Sequence, residues 1–358
     1  MPSGFAPSVA PLGALSFKLH KELAEKHGGR EKWGYCKSTG TSLTYDSEVA
    51  VGGSGEDWLR DGSSRASAAG VHAFAEGDGP AWLMRAKGSS LEVISPDGSV
   101  AQVDPMRLCQ FLLGESIARG AKLHHPTKVI SVSKDAKDEL ASVRIASADG
   151  AETDIPCTRL VITAGPWTPT VFATLFPSAA TKIPISSLAG HSLLVKSPRW
   201  SREHETKGCH AVFATDNLGF SPEIFSRLGE EVYIAGLNSM SIPLPELSTD
   251  VKIQPEAIES LKQTAKKMLG LPGEKDDLQI LRESLCFRPV TSSGRPIISR
   301  VPDSKLGDMK TGGEGGVFVA AGHGAWGISQ ALGTGKVLAE LIEGRHTSAN
   351  IEALALQA

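Results

Sequence analysis

Gly315-Gly316-Val317-Phe318-Val319-Ala320-Ala321-Gly322-His323-Gly324-Ala325-Trp326-Gly327-Ile328, near the C-terminus, is the stretch around which the chain is organised. Residues 317–321 form a short continuous apolar run, the pattern of a strand buried on both faces. Glycines at 322, 324 and 327 then spell G-x-G-x-x-G. Ile328, Ala331, Leu332, Gly335, Leu338, Ala339 and Ile342 come next at spacings of three and four, which predicts a helix with one apolar stripe. A buried strand that turns on glycines into a helix offers unpaired N–H groups and a positive dipole end to an anion or dinucleotide. The same turn also serves plain backbone packing, and the motif alone does not choose between the two.

The residues after this stretch exclude one version of it. A dinucleotide-binding βαβ unit continues into a second strand with an acid near its end. Only residues 343–358 remain here, polar and then alanine-rich, with no strand-like run. The stretch therefore reads as the last strand and helix of a cofactor lobe.

Composition narrows the class. The chain has 358 residues, 41% hydrophobic and 22% charged, which suits a large core divided between two lobes. A net charge of −3, with no basic run interleaved with aromatics, argues against nucleic acid as a partner. No apolar stretch approaches the roughly 18 residues of a membrane span. The N-terminus lacks a signal pattern and the C-terminal Leu-Gln-Ala is not a peroxisomal address. Five scattered cysteines (36, 109, 157, 209, 286) fit reduced thiols in a cytoplasmic protein and no metal site.

Working outward, Leu12, Leu15, Leu19 and Leu23 predict an amphipathic helix to about His27, stopped by Gly28-Gly29. Strands are expected at 42–51, 81–84, 91–95 and 100–103, with a surface loop at 52–70. Asp104-Pro105 is an N-cap followed by proline at the first helical position, with Leu108, Phe111 and Leu112 inward. Residues 122–124, 127–133, 141–147 and 153–155 alternate like strands, and 159–165 is a buried strand leaving through a tight turn into a helix at 167–175. From 183 to 237 the pattern becomes strands separated by turns, then a helix from Pro255. A strand at 278–287 runs into Arg288-Pro289-Val290, where the proline is expected to end it.

Five motifs now stand in one order: Val103-Asp104-Pro105, Gly120-Ala121-Lys122-Leu123, Val161-Ile162-Thr163-Ala164-Gly165-Pro166-Trp167-Thr168, Phe287-Arg288-Pro289-Val290-Thr291 and Gly322-His323-Gly324-Ala325-Trp326-Gly327. Together they resemble the FAD-dependent oxidoreductase family that contains D-amino acid oxidase, glycine oxidase and sarcosine oxidase. The resemblance extends from about Leu12 to Ile342, and Leu15-Ser16-Phe17-Lys18-Leu19-His20-Lys21-Glu22-Leu23 and Pro222-Glu223-Ile224-Phe225-Ser226-Arg227 look most like its fungal-type members. It implies a mixed α/β (α+β) fold. An FAD-binding, Rossmann-like lobe would take residues 1–36, 100–182 and 295–346, and an antiparallel β substrate lobe 37–99 and 183–294. Residues 347–358 would form a tail.

The resemblance also implies roles. Gly327, Ile328 and Ser329 would offer N–H groups to the flavin's pyrimidine oxygen, where reduced flavin is negative and a helix dipole is stabilising. Gly322, His323 and Gly324 would lie against the ring, though His323 reads equally as a packed histidine. Ala164 and Gly165 would let the backbone approach the dinucleotide, and Val129 would meet the adenine through its main chain. Arg288 would hold a substrate carboxylate, because a planar two-pronged donor suits that group; an interlobe ion pair is the competing reading. Cys286 is placed where a cysteine carries flavin covalently in the sarcosine oxidase branch, and otherwise reads as a buried strand thiol. The implied reaction is oxidation of an amine or amino acid C–N bond by hydride transfer to flavin, with dioxygen as acceptor.

Two features depart from the family pattern. Its opening strand, G-x-G-x-x-G, helix and acidic second strand are not found, since only eleven residues precede Leu12; the FAD lobe is therefore expected to be N-terminally incomplete. Tyrosine occurs only at 35, 45 and 233, and Ala325 replaces a glycine, which leaves the substrate open. The contrasting functional class is a truncated, cofactor-free remnant or binding protein without catalysis, marked by a colourless product. No G-x-S-x-G elbow supports a hydrolase.

Overall fold

The computed structural model describes residues 7–44, 75–76, 79–85, 89–95, 98–215, 220–274 and 277–357. Helices α1 (Ala10–His27) and α2 (Gly29–Trp33) lead into β1 (Cys36–Thr44), β2 (Ala75–Glu76), β3 (Ser90–Val93) and β4 (Val100–Gln102). Helix α3 (Pro105–Ala118) precedes β5 (Thr127–Lys134), β6 (Leu140–Ser147) and β7 (Glu152–Pro156). Strand β8 (Arg159–Ile162) leaves through a 3-10 turn (Gly165–Trp167) into α4 (Thr168–Leu175). Next come β9 (Ser186–Lys196), α5 (Arg202–Glu205), β10 (Cys209–Thr215), β11 (Glu223–Arg227), β12 (Glu231–Ser239), α6 (Pro255–Leu269) and β13 (Gln279–Val290). The chain closes with β14 (Ile297–Val301), β15 (Gly316–Ala321), a second 3-10 turn (Gly324–Trp326) and α7 (Gly327–Ile342).

Three sheets result among the described residues. The large one runs β13-β9-β12-β11-β10-β1-β3-β2, with β4 also on β1. A second is β14-β15-β8, and the third is the meander β5-β6-β7. Alternation builds the large sheet's core: Leu193, Val195, Val232 and Ile234 pack with Ile258, Leu261, Ala265 and Met268, the α6 positions that share one helical face. Strand β15 is buried at all six positions because its two faces serve different clusters. Val317 and Val319 pack with Ile162 and Phe172, whereas Phe318 and Ala320 pack with Leu12, Val337 and Leu338. Residues beyond α7 join in, through Ala349, Ile351 and Leu354 on the latter side. The Asp104 cap is made, its carboxylate accepting from Arg107 N at 3.1 Å.

Several expectations are corrected. Residues 81–84 form a turn with Trp82 fully buried, and 122–124 form no strand. The expected antiparallel lobe is present as the large sheet, with β1 and β10 its one parallel pair among the described residues. Strand β13 continues through Pro289, paired with Ser187, to Val290. Among the described residues it is an edge strand, so the missing proline N–H can face away from the ladder. The predicted loop at 52–70 and the end of the 42–51 strand lie outside the described residues.

The buried face of α7 is also not the expected stripe. Gln330, Gly333, Thr334, Val337, Leu338 and Glu340 point inward, while Ile328 is 49% exposed. Close approach of α1 decides this: a Cβ on Gly333 would stand only 2.9 Å from Leu12 O. Small residues therefore face the neighbouring helix, and buried Glu340 is satisfied by Ser348 N, Ser348 Oγ and Lys336 at 2.7, 2.6 and 2.9 Å.

Candidate functional site

Strands β8 and β15 are parallel neighbours, Ile162 lying opposite Val319, so both glycine turns emerge at the same end of their sheet. In parallel sheets that carboxyl end is where ligands bind. Gly165 (φ 55°), Gly322 (φ 84°) and Gly324 (φ 53°) take left-handed backbone that few other residues tolerate. Helix α7 starts at Gly327 with no side-chain cap. Its first-turn N–H groups, among them those of Ile328 and Ser329, thus have no side-chain acceptor, and the dipole end points out of the turn. Packing has its share too, since a Cβ on Gly322 would press to 2.7 Å from Thr291 Cγ2.

His323 resolves towards the packed reading. Its Nε2 lies 3.0 Å from Thr334 Oγ1, and burial holds its pKa down at about 4. His20 of α1 steadies the same turn: its Nε2 is 2.9 Å from Ile328 O, and because a carbonyl only accepts, that nitrogen carries the proton. Burial lowers the pKa of His20, His191 and His210 as well.

These shifts have a testable sign. Below about pH 6.5 the unfolded chain takes up protons on such histidines while the folded chain does not. Stability is therefore full above that pH and falls as the pH drops towards the folded value, about 4 for His323. Urea melts at pH 7, 5.5 and 4.5 should show the fall, and His323→Gln should flatten it. An unchanged slope in that variant would mean that His323 titrates as it does in the unfolded chain.

The large sheet reaches this end through β13. Ala325 of the second turn packs against Leu188 and Val290, which brings the end of β13 alongside both turns. Arg288 sits two residues before Val290, half-buried. Its Nη1 donates to Asn238 Oδ1 at 2.6 Å. Among the described residues no carboxylate stands within salt-bridge range of it, so the interlobe ion pair is not formed there. Cys286 is exposed and shares Arg288's face of β13, opposite Gly190.

The structure thus brings together Ala164, Gly165, Gly322, His323, Gly324, Gly327, Ile328 and Ser329 at one sheet end, with Arg288 and Cys286 beside them on β13. Val129 stands apart on β5, paired with Ile145, its side chain half-buried against the cluster that includes Ala164. Asn238, Gly190 and His20 escape the sequence reading. The glycines at 190 and 236, inside strand patterns, were the available signal for a bulge or a close approach.

Residues 3–341 match the family model of FAD dependent oxidoreductases, and the chain belongs to that family. A Schizosaccharomyces pombe protein named "Putative oxidoreductase C1F5.03c" is 28% identical over 97% of this chain and 82% of its own length. The Saccharomyces cerevisiae "Putative oxidoreductase TDA3" is 26% identical over 76% of this chain, which spans about half (54%) of that relative. The fold resembles the crystal structure of glycine oxidase from Geobacillus kaustophilus, with a TM-score of 0.69 at 19% identity over 99% of this chain and 85% of that one.

Family membership makes FAD the cofactor. The residues present fit its flavin end: an uncapped helix N-terminus, two glycine turns with open space at Gly165, and no described acid beside Arg288. Gly165, Gly324 and the amides of Gly327 to Ser329 would hold it. No third strand–glycine–helix cradle occurs among the described residues.

Proposed function

We propose that this oxidoreductase acts on an amine that bears a carboxylate, such as an amino acid, and that Arg288 binds that carboxylate. The observation that carries this is the half-buried Arg288 guanidinium, on the face of β13 whose Val290 end packs against the second glycine turn, with a neutral amide as its only described partner. A half-buried guanidinium with spare donors and no counter-charge favours an anion as its ligand. Likeness in fold to a glycine oxidase agrees with it.

Bound FAD supplies a two-electron acceptor for the hydride on the carbon next to nitrogen, with dioxygen as the final oxidant. This chain's residues supply orientation. Arg288 fixes one end of the substrate, the α7 N-terminus favours negative charge on the cofactor side, and neutral His323 adds no competing cation. Cys286 is exposed on the same face and is the candidate for a thiol tether to the cofactor.

The test is anaerobic. The FAD-loaded protein is mixed with amino acids and with the corresponding amines lacking the carboxylate, and flavin absorbance is monitored. Bleaching by the carboxylated members is the expected result. Equal bleaching by both sets, or none by any amino acid, would overturn the proposal.

A further inference from the structure

We infer that Asn238 and Gly190 are positioning residues: together they seat the Arg288 guanidinium flat on the sheet while leaving its charge unspent. The inference rests on the reading of Arg288 as a carboxylate anchor.

Three strands converge on one row. Cys286 of β13 and Asn238 of β12 each lie opposite Gly190 of β9, on the face that Arg288 shares with Cys286. Arg288 folds back along this row, so a Cβ on Gly190 would collide with its Nη1 and crowd Cζ to 3.2 Å. Glycine is what lets the guanidinium lie down. Asn238 then fixes it with a single bond at 2.6 Å. A guanidinium has five N–H donors, and this bond uses one, leaving the remainder for a bidentate ligand.

The chemistry of the seat matters. Aspartate at 238 would grip the arginine harder, but would also neutralise it and occupy it. An amide oxygen orients without competing.

A bulge puts the amide there. Ile234 lies opposite Leu193, yet Leu237 lies opposite His191, so the register slips by one between them. Without that slip, Asn238 would fall opposite Ala189, whose partner is Phe287, on the other face. The extra residue turns the side chain towards Arg288.

The experiment uses the full chain with FAD present, titrated calorimetrically with benzoate, a plain carboxylate, and with benzamide, its uncharged counterpart. Wild type should prefer benzoate, and Arg288→Met should lose the preference. Asn238→Ala and Gly190→Ala should each weaken benzoate about tenfold with benzamide unchanged. Asn238→Asp is the discriminating variant: it should retain the melting temperature yet lose benzoate at least as severely, which a purely structural role for residue 238 would not produce. If wild type shows no preference, or Arg288→Met keeps one, the carboxylate reading itself fails. If Arg288→Met loses it while Asn238→Ala, Gly190→Ala and Asn238→Asp bind benzoate as wild type does, the seat alone is overturned.

Discussion

Replacing Arg288 with methionine should cut kcat/KM for a carboxylated amine substrate by about 30- to 1000-fold, equivalent to about 2–4 kcal/mol for removing one member of a desolvated, hydrogen-bonded charge pair. Methionine is similarly long and apolar, so the change removes charge and donors without opening a large void. The corresponding amine without the carboxylate should lose less than about threefold, since it never made the contact. Lysine at 288 should recover only part of the loss, because a point charge on a flexible stem cannot bridge both carboxylate oxygens. Steady-state kinetics on the substrate pair, for wild type and both variants, measure the split. Equal losses on both substrates would show that Arg288 supports the fold of the site and does not read the carboxylate.

The position of this arginine shows how far the sequence could be read. Phe287-Arg288-Pro289 and the two glycine turns were visible as motifs, because turns and apolar strands are local patterns that the chain writes in consecutive residues. Their convergence was not. It depends on β8 and β15 being adjacent and parallel, and on β13 lying at the sheet edge, where a proline does not end a strand. Residues 81–84 misled for a related reason: Trp82 is buried by tertiary packing, so an apolar cluster there signals a packed turn. Helix α7 misled differently. Periodicity located the helix but picked its apolar side, and a neighbouring helix that demanded small residues took the other. Expectation failed where a second element, distant in sequence, chose the face.

That dependence on remote partners makes Gly236 a position whose substitution should be costly to both fold and site. Its φ of +119° lies in the region that favours glycine, and a Cβ there would drive into Ser221 O and stand 3.0 Å from Ser221 C. Both obstacles are backbone, held by the β11–β12 ladder in which Glu223 pairs with Ala235. Neither can swing aside as a side-chain end would. Gly236→Ala should therefore destabilise the fold by about 3 kcal/mol, combining backbone strain and overpacking of about 1–3 kcal/mol each. In a chain of 358 residues that lowers the melting midpoint by roughly 4 °C. Gly120→Ala is the matched control. Its φ is +99° and nothing lies within 4 Å of the added Cβ, so it should show the strain alone. The two should also separate in function. Gly236 sits in the slip that sets Asn238 opposite Gly190, so its replacement should weaken benzoate as Asn238→Ala does, even at temperatures where the variant remains folded. Gly120 is remote from that row and should bind benzoate normally. Equal melting losses for the two variants would mean that the Ser221 carbonyl gives way, and that the bulge is softer than its geometry indicates.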